Sequence, residues 1–237
     1  MLQCAVPLLF ETADPVYGLS MGGSGFLATS EGRLFLITTK HGLFGSDGNP
    51  ERLPRVVVAC CYNSKDMWLP LDAFVLEPND AEHQELGDVG VVALGRGWKL
   101  CGCPNCPEPY DLDTHKLPPT VPRDNTIFVR GFPHIASEIN YERRQARFDA
   151  FDFRGSLVGP TARESILEVS LEGELPHLAG VSGAPVFLQH DGSLHLLGMM
   201  QRGTAVSRRG YCISAGELTI AVRRIGEEYG AARTKET

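Results

Sequence analysis

The amino-acid sequence predicts an all-β fold with one α-helix at the C-terminus. The chain of 237 residues contains 26 glycines and 16 prolines, which indicates many turns and suits β-structure better than a helical bundle. Short apolar runs alternate with turn signals along most of the chain, a pattern typical of a barrel or a sandwich. Only near its end does the chain change to the helical spacing of apolar residues.

The first half contains a predicted hairpin. Residues 24–29 form a candidate strand, residues 30–32 a turn, and residues 33–39 the returning strand, which places His41 just past its end. The apolar stretch near the N-terminus is interpreted as a first strand or an arm of the fold. The further candidate strands of this half are 56–61 and 89–94.

A stretch rich in proline and cysteine divides the chain into two halves. Residues 95–122 contain six prolines and three cysteines, a composition typical of a linker. The predicted organisation is therefore a first unit over about 1–97, a linker over about 98–122 and a second unit over about 123–214. The candidate strands of the second unit are 126–131, 135–149, 166–171, 185–189 and 194–200.

The end of the chain predicts a helix over about 215–230. Ser214 followed three residues later by Glu217 fits a capping box. Apolar residues then recur at helical spacing, namely Leu218, Ala221, Val222 and Ile225. We expect residues 231–237 to be a frayed tail.

Charge and cysteine usage exclude several classes of partner. The formal net charge is −7, which argues against a nucleic-acid partner because phosphate contacts need a basic surplus. No apolar stretch reaches the length of a membrane span, so no membrane partner is expected. The N-terminus lacks a basic region and a cleavage site, and seven cysteines cannot all pair within one chain. We therefore expect a cytoplasmic protein with reduced thiols.

Three short motifs carry the candidate chemistry, and each is weak by itself. An apolar strand ends in Thr-Thr-Lys and then His41, and Asp88 opens the apolar strand 89–94. The third motif is Gly-Val-Ser-Gly-Ala-Pro-Val-Phe, which contains Ser182. In this motif Gly180 permits an unusual backbone that turns its own amide and that of Ser182 toward one point, as an oxyanion hole requires.

The order and spacing of the motifs make the set specific. His41, Asp88 and Ser182 follow one another 47 and 94 residues apart, an order that differs from those of α/β-hydrolases and subtilisins. The linker falls between Asp88 and Ser182. With these motifs the sequence resembles the chymotrypsin-like (trypsin-fold) serine peptidases. The Thr-Lys-His step and the segment around Ser182 resemble the bacterial glutamyl-endopeptidase and high-temperature-requirement branches.

The resemblance implies a fold and a reaction. The fold would be a single peptidase domain over residues 1–237, with two six-stranded antiparallel β-barrels and a C-terminal helix. The protein would be a serine endopeptidase that cleaves a polypeptide substrate through an acyl-enzyme, without a cofactor. Ser182 would be the nucleophile, His41 the general base and Asp88 the group that fixes the histidine tautomer, while the amides of Gly180 and Ser182 would hold the oxyanion.

The resemblance also implies where the substrate binds. The strand ending in Met200, Gln201, Arg202 and Gly203 would pair with the bound peptide, and Pro176 and His177 would lie at the base and wall of the primary pocket. His177 is better interpreted as a loop residue than as a ligand for an acidic side chain. We therefore place a preference for small or apolar residues ahead of a glutamyl preference.

One departure from the family pattern bears on regulation. Secreted digestive members carry an aspartate before the nucleophile, which pairs with a new N-terminus after zymogen cleavage, whereas this chain has Val181 there. We expect no zymogen switch of that kind. Because an intracellular protease needs some restraint, a regulatory or activator protein is an expected partner.

Two other functions stay open at this point. Cys101, Cys103 and Cys106 form a cluster that zinc could use with a fourth ligand from His115, Cys60 or Cys61. A cysteine-rich surface loop of reduced thiols is preferred because the fourth ligand is not evident. The alternatives to the peptidase are a zinc-stabilised interaction domain and a catalytically inactive protease fold used as a binding module.

Overall fold

The computed structural model of the chain describes residues 3–11, 19–44, 56–58, 88–94, 107–114, 125–142, 145–173 and 177–234. These residues form mostly β-structure with a C-terminal α-helix. In chain order, the elements are β1 (Ala5–Glu11), β2 (Leu19–Ser30), β3 (Arg33–Thr39), α1 (Lys40–Phe44), β4 (Val56–Val58), β5 (Val89–Ala93), β6 (Tyr110–Asp111), β7 (Thr126–Gly131), a 3-10 helix (His134–Ala136), β8 (Ser137–Asn140), β9 (Gln145–Phe148), β10 (Phe151–Pro160), β11 (Ile166–Leu171), β12 (Pro185–His190), β13 (Ser193–Thr204), β14 (Arg209–Ser214) and α2 (Ala215–Thr234).

The first half forms a six-stranded sheet. Its strand order is β4-β1-β2-β3-β5, and β6 adds to β2 as a parallel partner. The predicted hairpin is confirmed, since Ser30 pairs with Arg33 across a two-residue turn. Both turn residues have positive φ, 51° at Glu31 and 70° at Gly32, as a type I′ turn requires. No pairing among the described strands closes this sheet, so the predicted first barrel is not shown.

The second half forms a closed barrel. Six strands follow one another in the order β10-β11-β14-β13-β12-β7, and the pairing of β7 with β10 closes the circle. The barrel interior is apolar and contains residues such as Ile127, Val169, Val186 and Leu197. One of the two predicted six-stranded antiparallel barrels is therefore confirmed.

Two segments of the second half differ from the sequence prediction. The strand expected over 135–149 is instead the 3-10 helix followed by the β8–β9 hairpin, because the chain turns at residues 141–142. Sequence analysis also missed β10 and β14. In β10 the side chains at Phe151, Asp152 and Arg154 are exposed while Phe153 and Gly155 are buried, so a mixed polar and apolar run conceals a strand.

The two halves share a hydrophobic core. Phe26 and Val91 of the first sheet belong to the same buried cluster as Phe187 and Met199 of the barrel. Tyr110, within the predicted linker, joins them further: its hydroxyl accepts a hydrogen bond from Leu196 N at 2.9 Å. Burial raises the pKa of this phenol to about 12. The described part of the linker is therefore packed structure that contains β6.

The C-terminal helix α2 covers this shared core. Ser214 Oγ accepts the Glu217 amide at 3.5 Å, which confirms the predicted N-cap. All four residues predicted to face the core are buried: Leu218, Ala221, Val222 and Ile225. The helix extends to Thr234, four residues beyond the predicted end. No helix in the described ranges is long and apolar enough to cross a membrane.

Candidate active site

The register of two neighbouring strands brings His41 and Asp88 together. In the antiparallel pair of β3 and β5, Thr39 lies opposite Val89. Asp88 precedes β5, and His41 lies in the first turn of α1, which follows β3 directly. Residues 47 positions apart in sequence therefore meet at one end of the sheet.

The Asp88 carboxylate holds the imidazole from one side. His41 Nδ1 lies 2.9 Å from Asp88 Oδ1 and 3.0 Å from Oδ2. The backbone N–H of His41 also donates to Oδ1 at 3.2 Å. Since a carboxylate only accepts hydrogen bonds, this contact places the imidazole proton on Nδ1 and leaves Nε2 as the basic nitrogen. The histidine side chain is 45% exposed and the aspartate 23%, so the pair lies at the surface.

Thr39 connects the end of β3 to the histidine. Its hydroxyl oxygen accepts the Gly42 amide at 3.2 Å, which satisfies a free N–H in the first turn of α1. The same oxygen lies 3.4 Å from His41 Nε2. No hydrogen bond joins Ser182 Oγ to His41 Nε2 among the described residues. The sequence showed that small hydroxyl residues precede the histidine but gave Thr39 no role.

Ser182 lies on a tight loop that precedes β12, here named the serine loop and comprising residues 178–184. Two glycines shape it, with φ of +93° at Gly180 and +89° at Gly183. The side chain of Val181 points into the barrel core and is 1% exposed, while Ser182 is only partly buried. The loop thus anchors one neighbour of the serine in the core and leaves the serine accessible.

Hydrogen bonds determine the direction of the Gly180 amide. The Ala179 carbonyl accepts a hydrogen bond from His134 N at 2.9 Å. The peptide bonds of the described residues are all trans, and the C=O and N–H of a trans peptide point in opposite directions. The Gly180 N–H therefore points away from His134. A Cβ atom at Gly180 would lie 2.7 Å from Phe132 O, so a larger residue would not fit.

The serine loop is also attached to the first half of the chain. Ser24 of β2 donates its backbone N–H to Ser182 O at 3.2 Å and its hydroxyl to Gly180 O at 2.6 Å. Thr38 in turn donates to Ser24 O at 2.7 Å. A Cβ atom at Gly183 would overlap the Ser24 carbonyl oxygen, so this glycine permits the close approach of β2 to the serine loop.

Among the described strands, the predicted substrate strand has an edge without a partner next to the serine loop. β12 pairs with β13 only as far as Met199, and beyond it β13 pairs with β14 alone among the described strands. Met200 exchanges hydrogen bonds with the loop, since its carbonyl accepts from Gly183 N and its amide donates to Ala184 O. Gln201 to Gly203 continue past this point, with Arg202 stacked on the Tyr211 ring at 5.2 Å. An extended peptide could pair along this edge.

Two histidines lie at the base of the serine loop. His177 is exposed, and its Nδ1 accepts the Ala179 N–H at 3.2 Å, as expected for a loop residue. His134 lies against Gly180, where a Cβ atom would be 2.6 Å from its Cδ2. Burial, and then the nearby charge of His177, lower the pKa of His134.

The predicted metal residues cannot be placed. Cys101, Cys103 and Cys106 lie outside the described residues, as does Pro176. No group of three metal-binding side chains occurs in the described ranges. Of the seven cysteines the structure describes Cys4 and Cys212, both free and buried, and burial raises the pKa of each thiol to about 12.

Comparison with known proteins identifies the fold. The structure matches the scabies mite inactivated protease paralogue S-D1 with a TM-score of 0.58 and 13% sequence identity, over 95% of this chain and 92% of that one. It also matches the thermostable serine protease AL20 from an extremophilic microorganism, with a TM-score of 0.53 and 15% identity, over 90% and 91% of the two chains. The chain has a chymotrypsin-like serine-protease fold. No protein-family model matches the sequence, and no curated protein matches it.

Proposed function

We propose that the protein is a serine endopeptidase that cleaves peptide bonds through an acyl-enzyme. The observation that carries the proposal is the His41–Asp88 pair, in which Nδ1 faces both carboxylate oxygens within 3.0 Å. This arrangement leaves Nε2 as the base that a serine nucleophile needs. The position of Ser182 on a glycine-shaped loop supports its proposed role as the nucleophile.

In this mechanism Ser182 Oγ attacks the carbonyl carbon of the scissile bond, and His41 Nε2 takes the hydroxyl proton. His41 then donates that proton to the leaving amine, and a water molecule hydrolyses the acyl-enzyme by the same proton route. Asp88 stabilises the imidazolium that forms. The amides of Gly180 and Ser182 donate to the oxyanion, which is supported by a Gly180 N–H that points away from His134.

The substrate would bind as an added strand along Gln201, Arg202 and Gly203, next to the serine loop. The free edge of β13 among the described strands supports this proposal. Leu178 packs against Gly203, where a Cβ atom would lie 3.1 Å from Leu178 Cδ1, which supports a pocket wall beside that edge. We keep a preference for small or apolar residues, with His177 as a wall residue. Membership of the bacterial glutamyl-endopeptidase and high-temperature-requirement branches is also kept as a proposal.

Regulation and location complete the proposal. The buried Val181 side chain takes the place of a zymogen aspartate, so we propose one peptidase domain that is active without N-terminal cleavage and is restrained by a regulatory protein. The free thiols of Cys4 and Cys212 support a reducing compartment such as the cytoplasm.

A second candidate function is a protease fold used as a binding module without catalysis. The observation that favours it is the position of His41 Nε2, which lies 3.4 Å from Thr39 Oγ1 and forms no hydrogen bond with Ser182 in the described structure. One of the matched structures is named as an inactivated protease paralogue. Loose contacts between base and nucleophile are also common in proteases without bound substrate, so the same geometry is compatible with the peptidase.

Labelling of the intact protein with a fluorophosphonate separates these functions. A peptidase is expected to be labelled at Ser182, with labelling abolished in Ser182→Ala and strongly slowed in His41→Ala. Ser207→Ala, which removes an exposed hydroxyl, is the matched control and should be labelled like the wild type. Absence of Ser182-dependent labelling in folded protein would sink the peptidase proposal and favour the binding module. Zinc analysis of the same preparation tests the interaction domain, and about one equivalent of bound metal would support it.

A further inference from the structure

Ser24 is a buried hydroxyl at the junction of three segments. Its side chain is completely buried, and its Oγ donates to Gly180 O at 2.6 Å while accepting the Phe132 N–H at 2.8 Å. Its backbone N–H donates to Ser182 O at 3.2 Å. One residue of β2 therefore contacts both the serine loop and the segment that follows β7.

These bonds act on the two peptide groups on either side of Gly180. The group before it is held by the bond from His134 N to Ala179 O, and the group after it is held by the Ser24 hydroxyl. Glycine has the largest conformational freedom of any residue, and Gly180 has a φ of +93°. Without the hydroxyl, the peptide group that follows Gly180 would keep the bond from Val181 N to Leu178 O but lose its side-chain partner, so the backbone at Gly180 would be held less firmly.

Removal of the hydroxyl would also leave two backbone groups without a partner. Phe132 N and Gly180 O both hydrogen-bond to Ser24 Oγ, and a buried backbone group without a partner is costly. Displacement of the peptide group after Gly180 would relieve this cost. The two proposed oxyanion donors, Gly180 N–H and Ser182 N–H, belong to the peptide groups on either side of this one, so its displacement would move them out of position.

We propose that Ser24 is a positioning residue for the oxyanion hole. It acts through Gly180, not by contact with the reacting atoms, and it links the first sheet to the catalytic loop of the barrel. The inference rests on the proposed peptidase function. It adds a requirement that the catalytic triad does not contain: a hydroxyl on β2 must be present for the loop on the other half to stabilise the oxyanion.

The test compares Ser24→Ala with Ser30→Ala. Ser30 lies on the same strand, is also buried and donates to Asp113 Oδ1 at 2.9 Å, but it belongs to the hairpin turn far along β2. The probe is a fluorophosphonate, whose phosphoryl oxygen takes the place of the oxyanion when Ser182 is labelled. The measured quantities are the maximal labelling rate and the concentration for half-maximal rate, together with the melting temperature.

We expect the maximal labelling rate to change much more than the concentration for half-maximal rate. In Ser24→Ala the maximal rate should fall about 10- to 100-fold, which is less than the roughly 100- to 1000-fold loss for removal of an oxyanion donor, while the half-maximal concentration should change less than about twofold. Ser30→Ala should leave the maximal rate and the half-maximal concentration unchanged, even where it lowers the melting temperature as much as Ser24→Ala does. An unchanged maximal rate in folded Ser24→Ala would overturn the inference.

Failure of the proposed function gives a different result. If wild-type Ser182 does not react at all, the peptidase proposal fails, and the amide resonance of Gly180 then decides the positioning role. In Ser24→Ala, but not in Ser30→Ala, this resonance should shift and the amide proton of Gly180 should exchange faster with solvent. An unchanged Gly180 amide in Ser24→Ala would overturn the inference without any catalytic measurement.

Discussion

The acid–base pair and the serine loop are held in opposite ways. His41 and Asp88 come from adjacent strands of one sheet, meet at its exposed end and need only the register of β3 and β5. The serine loop instead receives hydrogen bonds from β2, from the segment after β7 and from β13, and much of it is buried. We therefore expect substitutions in the pair to remove the proposed catalysis without loss of the fold, whereas substitutions in the loop should change both catalysis and stability.

The largest expected effect is on catalysis alone. Asp88→Asn keeps the size of the side chain but presents an N–H donor to His41 Nδ1, which favours the wrong tautomer. We expect the catalytic rate to fall about 10⁴-fold, with little change in melting temperature because the pair is exposed. Rate measurement with an ester substrate and thermal unfolding of the same protein check this.

The control for that substitution is Asp152→Asn. Asp152 is exposed and pairs with Arg130 at 2.8 Å on β7, so the same chemical change occurs away from the site. It should leave the rate within about twofold. A rate for Asp88→Asn equal to that of the control would show that Asp88 does not act on His41.

The second prediction concerns the stability of the serine loop. Gly183→Ala would place a Cβ atom against Ser24 O and within 2.5 Å of Thr38 Oγ1, at a φ of +89°. We expect a loss of about 3 kcal/mol or more in the free energy of unfolding, from steric overlap and backbone strain together. Urea denaturation measures it.

Gly192→Ala measures the cost of backbone strain without the steric overlap. Gly192 also has a positive φ, +75°, but a Cβ atom there would meet nothing within 4 Å. We expect this variant to lose only about 1 kcal/mol, the cost of a left-handed backbone for alanine. Similar losses in the two variants would mean that β2 does not hold the serine loop closely.

The same contrast explains how much of the site the sequence could predict. His41 and Asp88 are local features of two strong strand patterns, and the structure brings them into contact. The Gly180 and Ser182 segment is also visible in the sequence because positive φ and close approach select glycine. The role of Ser24 was not predictable, since a single serine in a strand gives no sign of a partner 156 residues away.

The fold shows a similar division. The β2–β3 hairpin and the N-cap of α2 depend on neighbouring residues and were predicted correctly. The strands β10 and β14 were missed because polar and apolar residues do not alternate regularly along them. Pairing within the barrel determines their conformation. Closure of the barrel through β7 and β10 joins residues that no local pattern connects.

The smallest expected effect is on the pH dependence of the unfolding free energy, and it comes from His134 next to the serine loop. His134 lies against Gly180, and burial lowers its pKa below the usual 6.5. The unfolded chain therefore binds a proton at a higher pH than the folded chain. The stability contribution of neutral His134 is fully present above about pH 6.5 and is lost as the pH falls toward the lower folded-state pKa.

We therefore expect wild-type stability to fall as the pH drops below about 6.5, by less than a factor of ten in the unfolding constant per pH unit, because one group takes up at most one proton on unfolding. His134→Gln removes the titrating group and should flatten this part of the curve. Urea unfolding at about pH 7.5 and pH 5 measures the difference. Equal slopes in the two proteins would mean that the serine loop gains no pH dependence from His134.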